Sequence, residues 1–122
     1  MASSTGSPRD VVERFLAAWT GKDFDTARSL LHDDLSFQGP IDTFDNADDY
    51  MRSIQQLAAI VTGAQTRKTF IDGQDVATIY DLATATPAGT VPIAEWSQVR
   101  DGRIAAIRVY FDARPFGPPP AH

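Results

Sequence analysis

The sequence predicts an α+β fold in which three N-terminal helices cover one face of a strongly curved antiparallel sheet. Three observations carry that expectation. Up to Val61 the chain shows stretches with apolar positions at helical spacing, whereas between Val76 and Asp112 it reads as alternating runs with a period of two. The alternating runs Val76–Thr86, Thr90–Arg100 and Arg103–Asp112 are joined by Pro87-Ala88-Gly89 and by Asp101-Gly102, and Asp-Gly between two such runs is a strong hairpin signal. Each run is about ten residues, long against a usual strand length of about five or six, so the sheet has to be large and curved.

The elements follow in order. Ser7-Pro8-Arg9-Asp10 opens the first helix with a cap residue, a proline at the first helical position and an acid three after the cap. Val12, Phe15, Leu16 and Trp19 then form one apolar stripe, and Gly21 stops it. Asp23 caps a short second helix whose Ala27, Leu30 and Leu31 face inward. A brief strand, Leu35–Gln38, is broken by Gly39-Pro40. Asn46 caps a third helix, with Asp48 and Asp49 in its first turn, Met51, Ile54, Ala58 and Val61 on its buried face and Gly63 at its end. Gln65–Asp72 is a strand closed by Asp72-Gly73. This gives a polar N-terminal tail over 1–7, one domain over 8–114, and a loosely ordered tail over 115–122 that holds four of the eight prolines.

Composition narrows the function classes. The 122 residues suffice for one core, and 43% hydrophobic with 22% charged residues is ordinary for a globular protein. A formal net charge of −5, with no basic cluster, argues against nucleic-acid or anionic-membrane partners. Without cysteine there is no disulfide, thiol nucleophile or thiolate metal site. No secretory signal and no membrane span is expected, which points to a cytoplasmic protein. His32 and His122 lack partners at metal-ligand spacing, and the acids Asp42, Asp45, Asp48 and Asp49 lack the spacing and central glycine of a calcium loop, so no metal is expected. Nucleotide, phosphate and serine-hydrolase motifs are absent.

The stretches Val12–Phe24, Leu31–Pro40 and Val99–Pro115 resemble the nuclear transport factor 2-like superfamily, and within it the SnoaL-like polyketide cyclases, ketosteroid isomerases and limonene epoxide hydrolases. The resemblance covers about Pro8 to Pro115 and implies a cone-shaped, cystatin-like α+β barrel with a pocket at its wide end. It does not fix the chemistry, because this fold hosts many activities. The tyrosine, base aspartate and protonated aspartate of ketosteroid isomerases would fall on Phe15, Gly39 and Trp96, which disfavours steroid isomerisation by that mechanism. Of the five residues of limonene epoxide hydrolases, which would fall on Asp81, Ile79, Val109, Phe37 and Gly39, only the first aspartate is kept.

The resemblance turns Ala77, Ile79, Asp81, Ala83 and Ala85 toward the cone. Asp81 on that apolar wall would be the acid/base group, its charged form disfavoured by desolvation. Trp96 and Gln98 on the next strand would orient the ligand, and Phe15, Trp19, Phe37, Tyr50, Ile79, Ile107, Val109 and Phe111 would line the pocket. The rival account makes Asp81 a structural residue near the rim. Asp112 is expected to face outward and bond backbone amides in the turn after its strand. The opposite sheet face, with Tyr80, Leu82, Val99 and Tyr110 beside Glu95, Ser97 and Arg108, would suit a homodimer, as in many members of the superfamily. Two readings result: a cofactor-free acid/base enzyme acting on an apolar small molecule, or a non-catalytic hydrophobic-ligand-binding or dimerising module.

Overall fold

The computed structural model describes residues 7–116. Three helices, α1 (Pro8–Thr20), α2 (Phe24–Ser29) and α3 (Ala47–Ala58), pack on a mixed six-stranded sheet. The strands are β1 (Leu31–Gln38), β2 (Thr43–Phe44), β3 (Val61–Asp72), β4 (Asp75–Thr84), β5 (Thr90–Arg100) and β6 (Arg103–Tyr110), ordered β2-β1-β6-β5-β4-β3. The sheet is curved but stays open, with β2 and β3 as its edges. Arg114–Phe116 forms a short 3-10 turn; the rest of the proline-rich tail and residues 1–6 lie outside the described residues.

Local chemistry sets the helix starts. The Ser7 side chain accepts from Asp10 N, and the Asp10 carboxylate accepts from Ser7 N in return, a reciprocal capping box with Pro8 just inside the helix. Asp23 and Asn46 cap α2 and α3 through Thr26 N and Asp49 N. Asp101 and Gly102 both take positive φ, 53° and 77°, as a tight turn between twisted strands requires.

Strand boundaries differ from expectation at two places. β1 begins at Leu31, not Leu35, and runs parallel to β6, with Leu31 opposite Ile104 and Phe37 opposite Ile107. Its polar stretch His32-Asp33-Asp34 looks like a turn in sequence. It is held extended by tertiary contacts: the His32 ring bonds Arg100 O at 2.6 Å, and Arg28 bridges Asp33 and Asp48 at 2.7 and 3.0 Å. α3 stops at Ala58, so Val61 and Gly63 open β3 instead of closing the helix. Register shifts near Arg67 and near Ala105 interrupt the ladders, and such bulges sharpen the bend of a sheet.

The larger correction concerns which face is inside. Val76, Thr78, Tyr80 and Leu82 of β4, with Val91, Ile93, Glu95, Ser97 and Val99 of β5, are buried under the helices. The alternate set Ala77, Ile79, Asp81 and Ala83 faces the other way, opposite to the expected arrangement. A one-residue slip in assigned phase moves every side chain to the other face. The helices present Val12, Phe15, Leu16 and Trp19 to the sheet, and on β4 the bulkier set, Val76, Thr78, Tyr80 and Leu82, is the one that is buried beneath them. Among the described residues no helix is long and apolar enough to cross a membrane.

Candidate functional site

Between α3, the inner face of β4–β6 and the loop 39–42 lies a partly open cavity of about 340 Å³. Its aromatic wall comes from Trp19 of α1, Phe37 of β1, Tyr50 of α3 and Phe111 beyond β6. Phe37 and Tyr50 stack with ring centroids 4.6 Å apart, and Phe44 stands 5.8 Å from Phe37. The aliphatic wall comes from Ile54, Leu57, Ile60, Leu82, Ile93 and Val109, while Ile41 and Asp42 sit at the loop edge. At Gly39, where the loop turns, a Cβ would stand 3.2 Å from the Phe37 ring, so a side chain there would need that ring to shift.

One acid reaches this cavity from the sheet. Glu95, at the centre of β5, is 4% exposed and lines the cavity with Tyr80, whose Oη donates to Glu95 Oε1 at 3.1 Å. Thr78 stands directly opposite Glu95 on β4 and is also buried. Burial pushes the Glu95 carboxyl up to about 7, against the Tyr80 hydrogen bond, which favours the charged form. The Ser97 hydroxyl, two residues along the same face, also favours that form but falls short of hydrogen-bonding geometry; its Oγ is buried without a partner among the described residues. Burial, and then the nearby Glu95 charge, raise the Tyr50 and Tyr80 phenols well above their ordinary value, so both are protonated donors at neutral pH. A carboxyl titrating near neutrality in an apolar cavity can both give and take a proton.

The expected site residues divide into three groups. Trp19, Phe37, Tyr50, Val109 and Phe111 line the cavity. Phe15 and Ile107 are fully buried in the core behind it, with Phe15 6.2 Å from the Tyr50 ring. Asp81, Ile79, Trp96 and Gln98 lie on the outer face and cannot reach the cavity through the sheet. Asp81 makes a partly exposed ion pair with Arg67 at 3.3 Å. Trp96 donates from Nε1 to Asp75 at 2.9 Å and lies under Arg108, whose guanidinium also donates to Gln98 at 3.4 Å. Asp112 accepts from Arg114 N at 3.0 Å in the turn after β6, and the Arg114 guanidinium holds its carboxyl down at about 2. Among the described residues no cluster of three acids or histidines could hold a metal.

Comparison with known proteins adds the following. The profile of the SnoaL-like domain family matches residues 12–107. A protein of known structure from Kribbella flavida DSM 17836 is 33% identical, with 93% of this chain and 92% of that one covered and a TM-score of 0.84. An NTF2-like protein of unknown function from Cytophaga hutchinsonii is 27% identical over 95% and 98% of the two chains, also at 0.84. An LEH-like epoxide hydrolase from M. tuberculosis is 26% identical over 87% and 83%, at 0.75. Among curated proteins no match is found.

Proposed function

The chain belongs to the SnoaL-like domain family, and we propose that it is a cytoplasmic small-molecule enzyme that carries out cofactor-free acid/base chemistry on an apolar substrate, with Glu95 as the proton-transferring group. The observation that supports this reading is the position of Glu95: a buried carboxyl bonded to Tyr80 and open to a mostly apolar cavity. Its neutral form can protonate a substrate heteroatom, and its charged form can take a proton from carbon or from water. Tyr80 keeps the carboxyl oriented, and a ligand filling the space between the aromatic and aliphatic walls would displace water, which strengthens every charge interaction inside. The likeness to an epoxide hydrolase supports the reading at the level of reaction class, since ring opening needs both a proton donor and an activated nucleophile.

The test is a panel of terpenoid epoxides, steroids and aromatic polyketides incubated with wild type, Glu95→Gln and Asp81→Asn. Turnover that Glu95→Gln abolishes and Asp81→Asn leaves intact is the expected result. Binding without turnover in every variant would make the protein a carrier of hydrophobic ligands.

We further propose that the outer sheet face joins a second copy of the chain. Phe70, Trp96 and Tyr110 are exposed there between acids and bases of both signs, Asp75, Asp81, Arg67 and Arg108. The residues that form this face differ from the set expected in sequence, because Tyr80, Leu82 and Val99 are inside. A two-fold interface opposes a patch to itself, and interspersed charges of both signs let such a patch be self-complementary.

A further inference from the structure

The charge content of the cavity is one-sided. Its ionisable groups are Glu95 on β5, Asp42 at the loop edge, Tyr80 on β4 and Tyr50 on α3; among the described residues no lysine, arginine or histidine lines it. The Glu95 carboxylate therefore lacks a counter-charge: Tyr80 donates one hydrogen bond, and Ser97 on the same face is not bonded to it. A buried carboxylate left without a cation is costly, and a ligand that brings one recovers that cost. Phe37 and Tyr50, which stack on one another in the wall of the same cavity, suit such an occupant, since aromatic faces attract ammonium groups. A ligand carboxylate or phosphate would instead meet Glu95 and Asp42 with nothing to neutralise it.

We propose that this cavity selects organic cations, and that its ligand is a protonated lipophilic amine whose ammonium group seats against Glu95 while its apolar skeleton lies between the aromatic and aliphatic walls. A volume of about 340 Å³ is near the lower end of the roughly 300–1,000 Å³ usual for ligand sites, so the amine has one or two rings. The proposal rests on the reading of this cavity as the substrate site and narrows its mostly apolar substrate to one whose skeleton carries a protonated amine. A bound ammonium holds Glu95 as the carboxylate, the form that accepts a proton.

The experiment is calorimetric titration with 3-phenylpropylamine, 3-phenylpropanol and 3-phenylpropanoate, which share one skeleton and differ in charge. At a pH of about 8.5, where both Glu95 and the amine are charged, wild type should bind the amine about tenfold or more tighter than the alcohol and should not bind the acid. Lowering the pH to about 6 neutralises Glu95 and should cost the amine about tenfold while leaving the alcohol unchanged. Glu95→Gln should remove most of the amine's advantage over the alcohol, Asp42 at the loop edge retaining only a small part of it. An alcohol that binds wild type as tightly as the amine overturns the proposal, and so does an amine whose affinity ignores both the pH and the substitution. Neither result touches the proton-transfer reading, which fails separately if Glu95→Gln retains turnover. The ligand series on wild type decides the matter even if the variant does not fold.

Discussion

Tyr80 donates its hydroxyl to Glu95 across two adjacent strands at 3.1 Å, and both residues are buried at the wall of the cavity. The pair turns an acid that belongs on a surface into a core residue with one oriented hydrogen bond. It also leaves the acid without any positive partner, so its ionisation is set by burial against that bond.

The first consequence is a pH dependence of stability with a definite sign. Glu95 titrates at about 7 in the folded chain against 4.5 without the fold. The folded state therefore holds the proton more tightly, and stability is fully present below about 4.5 and lost as the pH rises through about 7. The gap corresponds to roughly 3 kcal/mol. Urea unfolding at several pH values should show wild type weakening across that window, and Glu95→Gln should remove this component and be the more stable protein at pH 8. A variant that keeps the full wild-type slope would show that Glu95 is not its source.

Removing the hydroxyl tests the other member of the pair. The Tyr80 hydrogen bond favours charged Glu95, so Tyr80→Phe should move the Glu95 titration upward, and the pH profile of any turnover with it. A hydrogen bond to a charged group contributes about 1.5–3 kcal/mol, and that loss should appear mainly above pH 7, where Glu95 is charged. Carbon-detected NMR of the Glu95 side chain reads the titration directly. An unchanged midpoint would mean that Tyr80 does not control the acid.

Asp81 offers the contrasting case. Its carboxylate faces away from the cavity and pairs with an Arg67 side chain that is 58% exposed. Exposed pairs of this kind contribute about 0–1 kcal/mol, so Asp81→Asn should cost less than about 1 kcal/mol and leave ligand affinity and turnover at wild-type levels. Loss of turnover would place the chemistry on the outer face and overturn the assignment to Glu95.

These contrasts show what the chain displays and what it conceals. Caps at Ser7, Asp23 and Asn46, and the turn at Asp101-Gly102, are local devices whose partners lie within a few residues, so they are legible before any tertiary contact is known. The parallel pairing of β1 with β6 is not, because His32 and Arg28 hold that strand through partners such as Arg100 and Asp48 that only folding brings close. The inner face was written in the alternation of β5: Val91, Ile93 and Val99 share a phase with Glu95 and Ser97, whereas Pro92, Gln98 and Arg100 hold the other. An acid in the apolar phase of a strand was the signal for the site. Carrying over a phase from related proteins put Asp81 inside and left Glu95 outside, by one residue.

The outer face yields the remaining prediction. Tyr110 is 57% exposed at the end of β6 and lies opposite Ala94, in the row that continues through Trp96 and Arg108. A glutamate there is tolerated by the monomer, since the position makes no core contact, but in a two-fold interface it would bring desolvated charge against an apolar neighbour. Light scattering after size exclusion should therefore give a dimer for wild type and a monomer for Tyr110→Glu, with far-UV circular dichroism unchanged. The cavity opens on the opposite side of the sheet from Tyr110, so 3-phenylpropylamine affinity should be the same in both. A monomeric wild type would remove the interface proposal, and a dimer that survives Tyr110→Glu would move the contact to another surface.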